Sequence, residues 1–137
     1  MTYEKSCGAV IHTMIDGVPH YVLAQSLEGR WGFPKGHMER DETEEQTALR
    51  EISEEVRLRV NLLPGFRTVD EYPLSHKEGI IKQVVFFCAE YDHQDILPQA
   101  EELLSAALVP YEEALAMLDF ESSRRILREA HAFLLSR

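Results

Sequence analysis

The stretch from Ile80 to Glu90 limits the fold more than any other. It reads IIKQVVFFCAE, with apolar residues at both even and odd positions (Ile80, Ile81, Val84, Val85, Phe86, Phe87). Side chains of a strand alternate between the two faces of a sheet. A strand apolar at both parities is therefore expected to be buried on both faces. That requires packing layers above and below the sheet, and the other periodicities supply them.

Ser6 to Met14 reads as a strand, Asp16-Gly17 as a turn, and Tyr21 to Ala24 as the antiparallel partner. Gly29 to Gly36 has room for a short strand at Trp31 to Phe33, then a loop through Pro34, Lys35 and Gly36. Asp41 or Thr43 caps a helix that runs to about Val56. Leu58 to Val69 reads as a strand, with His76 to Gly79 in the loop before the two-faced strand. Leu103 to Val109 reads as a further strand. Pro110 opens a short helix over Tyr111 to Leu118, and Asp119 caps a last one with Ile126, Leu127, Ala130, Phe133 and Leu134 at helical spacing. Strands with helices between and after them predict an α/β domain with a mixed sheet. No repeat or linker divides residues 1–137, so one domain is expected.

The longest apolar run, Val84 to Ala89, is six residues, far below the ~20 of a spanning helix. No basic segment leads into an apolar one at the N-terminus, so no secretory signal is read. Cys7 and Cys88 sit in apolar surroundings without metal-type spacing, as buried thiols of a cytoplasmic protein do. The net charge is −10, which speaks against general nucleic-acid binding. The six histidines show no HxH or HxxxH pairing, so zinc is not expected. Oligomeric state is not legible.

The charge is concentrated. Glu39 to Glu55 holds eight acids against Arg40 and Arg50, so 17 residues carry −6 of the −10. At about 100° per residue, Glu51, Glu54 and Glu55 gather on one helical arc. Ala48, Leu49, Ile52 and Val56 occupy the neighbouring arc. Acids at such spacing repel unless something cancels them. Carboxylate oxygens are the ligands Mg²⁺ and Mn²⁺ prefer, and such ions align phosphates and activate water. The preceding turn ends in Gly36 with Lys35 beside it, and glycine lets a ligand approach the backbone closely. The rival reading is a solvated acidic scaffold helix.

Gly36 to Leu58 reads GHMERDETEEQTALREISEEVRL. This resembles the Nudix box, G-x5-E-x7-R-E-U-x-E-E-x-G-U with U bulky and apolar. Gly36, Glu42, Arg50, Glu51, Ile52, Glu54, Glu55 and Leu58 match in register. One position departs: Arg57 stands where the box has glycine. The resemblance implies a Nudix fold, an α/β/α sandwich, and metal-dependent hydrolysis of a nucleoside diphosphate linked to another group. It implies that the Gly36 carbonyl, Glu51, Glu54 and Glu55 bind Mg²⁺ or Mn²⁺. Arg50 would orient the acids and Glu42 would hold the loop–helix corner. A further acid from outside the box would be Glu101, with Glu102 the second choice. Glu55 or Glu101 would take the proton of the attacking water.

Four further pieces resemble the asymmetrical diadenosine tetraphosphate hydrolases of that family. These are Lys35-Gly36, the opening SCGAVIH, Gly65-Phe66 followed by Tyr72, and Lys82 before the apolar run. The resemblance implies cleavage of diadenosine tetraphosphate to ATP and AMP. Lys35, His37 and Lys82 would hold phosphates, and Tyr72 and Phe120 would stack on adenine. Lys35-Gly36 also resembles RNA 5′-pyrophosphohydrolases, so a nucleoside-triphosphate or RNA 5′-end substrate is the alternative. A non-catalytic, nucleotide-binding regulatory module of the same fold is the alternative of another class. Plainer readings make Phe120 core, Trp31 a packing residue, Glu44 and Glu45 solvated, and Arg124, Arg125 and Arg128 a solvated face.

Overall fold

The computed structural model describes residues 2–137. The strands are β1 (Thr2–Ile15), β2 (Val18–Ser26), β3 (Trp31–Gly32), β4 (Lys35–His37), β5 (Asn61–Leu62), β6 (Thr68–Pro73), β7 (Ile80–Glu90) and β8 (Leu103–Pro110). The helices are α1 (Glu44–Val56), α2 (Tyr111–Met117) and α3 (Glu121–Leu135).

β7 is central. It pairs in parallel with β1 over Thr2 to His12 and antiparallel with β5 and β6 on its other edge. The far edge of β1 is divided: Ser6 to Gly8 pair with β4, and His12 to Ile15 with β2. β2 continues to β3 and β8. One parallel pair among antiparallel ones makes the sheet mixed.

The two-faced burial of β7 is observed. Val85, Phe87 and Ala89 join Cys7, Ala9 and Ile11 of β1 in a core beneath Ala48, Ile52 and Val56 of α1. Val84, Phe86 and Cys88 join Val10, Tyr21 and Leu23 against Ala114 of α2 and Ile126, Leu127 and Ala130 of α3. Each strand parity feeds one layer, which gives the α/β/α sandwich. Both cysteines are buried and free. Among the described residues, no helix is long and apolar enough to cross a membrane.

Local signals account for the ends of elements. Asp16 and Gly17 both have positive φ (51° and 78°), the geometry of a tight primed hairpin turn. Thr43, not Asp41, caps α1: its side chain accepts from Gln46 N–H, and the Gln46 side chain accepts from Thr43 N–H. Arg57 ends α1 in the left-handed conformation (φ 60°, ψ 30°), and its N–H donates to Ser53 O at 3.1 Å. It therefore adopts the left-handed backbone that glycine favours after a helix.

Three expectations need correction. Leu58 to Val69 is not one strand. Pro64 and Gly65 form a turn, with Gly65 at φ 99°, that separates β5 from β6. Lys35 to His37 is a strand on β1 rather than a loop. Asp119 does not cap α3; Phe120 stands at that position without a side-chain cap. The Asp119 carboxylate instead accepts from the Trp31 N–H at 2.6 Å and ties the start of α3 to β3.

Candidate active site

α1 buries one face and turns Glu51 and Glu55 toward β4. Glu55 is 6% exposed. Its Oε2 accepts from the backbone N–H of Lys35 at 3.2 Å. Burial, then the nearby charge of Glu51, pushes its carboxyl up to about 8. Glu51 is raised in the same direction by burial, with Arg50 opposing.

Gly36 explains itself by contact. A Cβ on it would overlap the Glu51 carboxylate. Only a residue without a side chain lets that acid close on the strand. The residues flanking β4 bond to β1 at even-numbered positions: Met38 N–H donates to Lys5 O, and Pro34 O accepts from Ala9 N–H. Gly36, opposite Cys7 in the same alternation, therefore turns its carbonyl toward β1. A cation there would have its second lone pair.

Arg50 gathers the acids. Its Nε donates to Glu42 at 2.6 Å, Nη1 to Glu51 at 2.7 Å and to Glu54 at 3.2 Å, and Nη2 to the His37 carbonyl at 2.9 Å. This fork joins the strand, the loop and one turn of the helix, which a lysine could not do. Held first by Arg50, the Glu42 carboxyl falls to about 2. Glu42 also accepts from Glu39 N–H and the Thr47 hydroxyl, both at 2.8 Å.

Of the predicted outer acids, the structure brings in Glu102, not Glu101. Glu51, Glu55 and Glu102 each offer an oxygen within 4.8 Å of the others. The turn from Gln99, whose carbonyl accepts from the N–H groups of both Glu102 and Leu103, sets which side chain points inward. Adjacent acids on a turn have no periodicity from which the inward one can be read. Glu54 stands outside that trio; it is half exposed and paired with Arg50. An all-carboxylate donor set suits a hard divalent cation such as Mg²⁺ or Mn²⁺.

Beside the trio opens a cleft of about 860 Å³ that includes Lys35, Glu55, Glu102, Tyr72 and Phe120 in its lining. The apolar floor is Phe33, Val84 and Phe86. Tyr72 and Phe120 are 42% and 52% exposed, so Phe120 is not core. The Arg30 guanidinium lies 5.9 Å from the Phe120 ring centroid. Trp31, expected only to pack, also lines the cleft.

Lys82 faces Tyr72 across the β6–β7 ladder. It is 7% exposed. Its Nζ donates to Ser6 Oγ at 2.6 Å and lies 3.4 Å from His37 Nδ1. Burial, then the charge of Lys35, lowers its proton affinity. Burial and Lys82 do the same to His37. Lys35, His37 and Lys82 thus form one basic strip across β4 and β7.

Several residues differ from their plain sequence readings. Glu44 is not simply solvated; it accepts from Lys5 at 2.7 Å and Arg67 at 2.8 Å. Arg125 reaches the Val69 carbonyl at 3.0 Å and Glu129 at 2.6 Å. Arg124 bonds the Leu118 carbonyl at 2.6 Å, and Arg128 pairs with Glu121. Asp70, also in the cleft, belongs to no sequence motif that would mark it.

The chain is similar to known proteins over nearly its whole length. The model of the NUDIX domain matches residues 8–130. The chain is 30% identical over 144 residues to the asymmetrical bis(5′-nucleosyl)-tetraphosphatase of Sus scrofa, with 96% of each chain covered. It is 29% identical over 136 residues to the Mycobacterium tuberculosis (strain CDC 1551 / Oshkosh) protein MutT4, and spans only 54% of that relative's length. A crystal structure of a C. elegans Ap4A hydrolase binary complex superposes with a TM-score of 0.89 at 25% identity, covering 98% of this chain and 99% of that one. Acids gathered on α1 behind a glycine strand, in a domain matched nearly end to end, make this chain a member of the NUDIX family, a Nudix pyrophosphohydrolase.

Proposed function

We propose that the protein cleaves diadenosine tetraphosphate asymmetrically, to ATP and AMP, in a reaction that depends on a divalent cation. The observation that carries this reading is the shared cleft: Glu55 and Glu102 line it together with two exposed aromatic rings, Tyr72 and Phe120. The full-length likeness to an asymmetrical tetraphosphatase supports it. We read residues 1–137 as a single domain of this kind.

Glu51, Glu55 and Glu102 would hold Mg²⁺ or Mn²⁺, with Glu54 and the Gly36 carbonyl as further oxygens. When bound, such ions cancel charge between the acids and the phosphates and lower the pKa of water. The residues of the chain do the rest. Lys35, His37 and Lys82 bind the outer phosphates. Tyr72 and Phe120 hold adenine by stacking, worth ~1–3 kcal/mol per base. Arg50 keeps the acids in position. A water oxygen attacks one phosphorus and the P–O–P bond on its far side breaks. Glu55, in the wall of the cleft, accepts the water's proton in its ionised form.

The test is product analysis with Mg²⁺ over diadenosine polyphosphates, nucleoside triphosphates, ADP-ribose and triphosphate-capped RNA. ATP plus AMP from diadenosine tetraphosphate, absent in Glu55→Gln, is the expected result. Turnover of only triphosphates or RNA would discard the Tyr72 and Lys82 assignments. Nucleotide binding without turnover of any compound would instead indicate a regulatory module.

A further inference from the structure

We infer that Asp70 selects the base held against Tyr72, and that it favours guanine over adenine. This rests on the reading that the cleft takes a nucleotide: the adenosine end of diadenosine tetraphosphate still stacks on Tyr72, and a guanosine end is held there more tightly. Thr68 Oγ1 donates to Glu129 of α3 at 2.7 Å, so the even-numbered residues of β6 face α3 and the cleft. Asp70 and Tyr72 follow on that face, and both line the cleft. Asp70 is half-buried and stands opposite Val84, part of the apolar floor.

The neighbours of Asp70 along β6 have partners. Thr68 is bonded to Glu129, and Glu71 accepts from Gln83 at 2.8 Å. Asp70 has no hydrogen bond or ion pair among the described residues. Both of its oxygens are therefore free to accept from a ligand in the cleft.

Residues two apart on a strand are about 6.5–7 Å apart. A base stacked on Tyr72 reaches that far with its edge. A carboxylate can only accept. Guanine offers it two adjacent donors, N1–H and the N2 amine. Adenine offers one amine beside the N1 lone pair, which a carboxylate repels. Guanine therefore makes two charge-assisted bonds where adenine makes one at best.

The test is calorimetric binding, with Mg²⁺, of the α,β-methylene analogues of GTP and ATP, which cannot be cut at that bond. The guanine analogue should bind about tenfold or more tightly, the worth of one extra charge-assisted bond. Asp70→Leu, and independently Asp70→Asn, should lower that ratio, the asparagine partly by tightening the adenine analogue, since its amide accepts from the adenine amine and donates to N1. Equal affinities in the parent protein, or a ratio unmoved by both substitutions, would overturn the inference. Rates on diguanosine and diadenosine tetraphosphate are measured alongside. If neither is cut while the binding ratio depends on Asp70, the tetraphosphate reading fails and the role of Asp70 stands.

Discussion

The carboxylate of Glu51 lies against the Cα of Gly36, in the space a methyl group would need. The obstructing atoms belong to the far end of a flexible side chain. Gly36→Ala should therefore leave the fold intact and swing Glu51 out of the trio. We expect activity to fall roughly 100-fold, the usual cost of about 1 Å of misplacement. Thermal melting should move by only a few degrees. Kinetics and a melting curve on one preparation check both halves.

Glu102 and Glu101 provide a paired control. Glu102→Gln should weaken Mn²⁺ binding and slow turnover by tenfold or more, on the order of what one lost charge-assisted contact costs. Glu101→Gln should leave both near the parent value. Equal effects would put the trio in the wrong place.

Glu55 makes cation binding depend on pH. Its carboxyl is raised to about 8 in the folded protein without metal. A raised acid contributes stability that is fully present below its unfolded value, about 4.3, and is lost as pH rises through 8. A cation competes with that proton. Apparent Mn²⁺ affinity should climb about tenfold per pH unit between 6 and 8, then level off. Titration in two buffers of different ionisation heat should show one proton released near neutrality. Glu55→Gln should flatten the climb.

Glu42 acts in the opposite sense. Arg50 holds its carboxyl at about 2. A lowered acid contributes stability above its unfolded value and loses it as pH falls. Urea midpoints should therefore drop between about pH 4.5 and 2. Glu42→Gln should make that drop shallower.

Arg57 spends its left-handed turn without glycine's freedom. Arg57→Gly should raise stability by up to about 1 kcal/mol. The urea midpoint should rise with the slope unchanged, and catalysis should not move.

The sandwich was legible because β7 is apolar at both parities, and one strand with two buried faces admits few architectures. The acidic arc was legible because helical spacing alone puts Glu51 and Glu55 on one side. What the sequence left open depended on contacts distant in the chain. Glu102 is chosen by a turn, and Asp119 is drawn from its helix by Trp31, 88 residues away. Asp70 matters only because β6 lies over Val84. Pro64 and Gly65 were visible breakers inside a run read as one strand; alternation on both sides hid the interruption.

Among the described residues, β4 has another strand on one side only. Its outward N–H at Lys35 is taken by Glu55, and its outward carbonyl at His37 by Arg50. Side chains of a helix thus serve as the missing rung of the sheet. Sheet edge and reaction centre are then mechanically one object: gaining or losing a proton or an ion at Glu55 loads a backbone amide. The exchange rate of the Lys35 N–H becomes a built-in gauge of the state of the site.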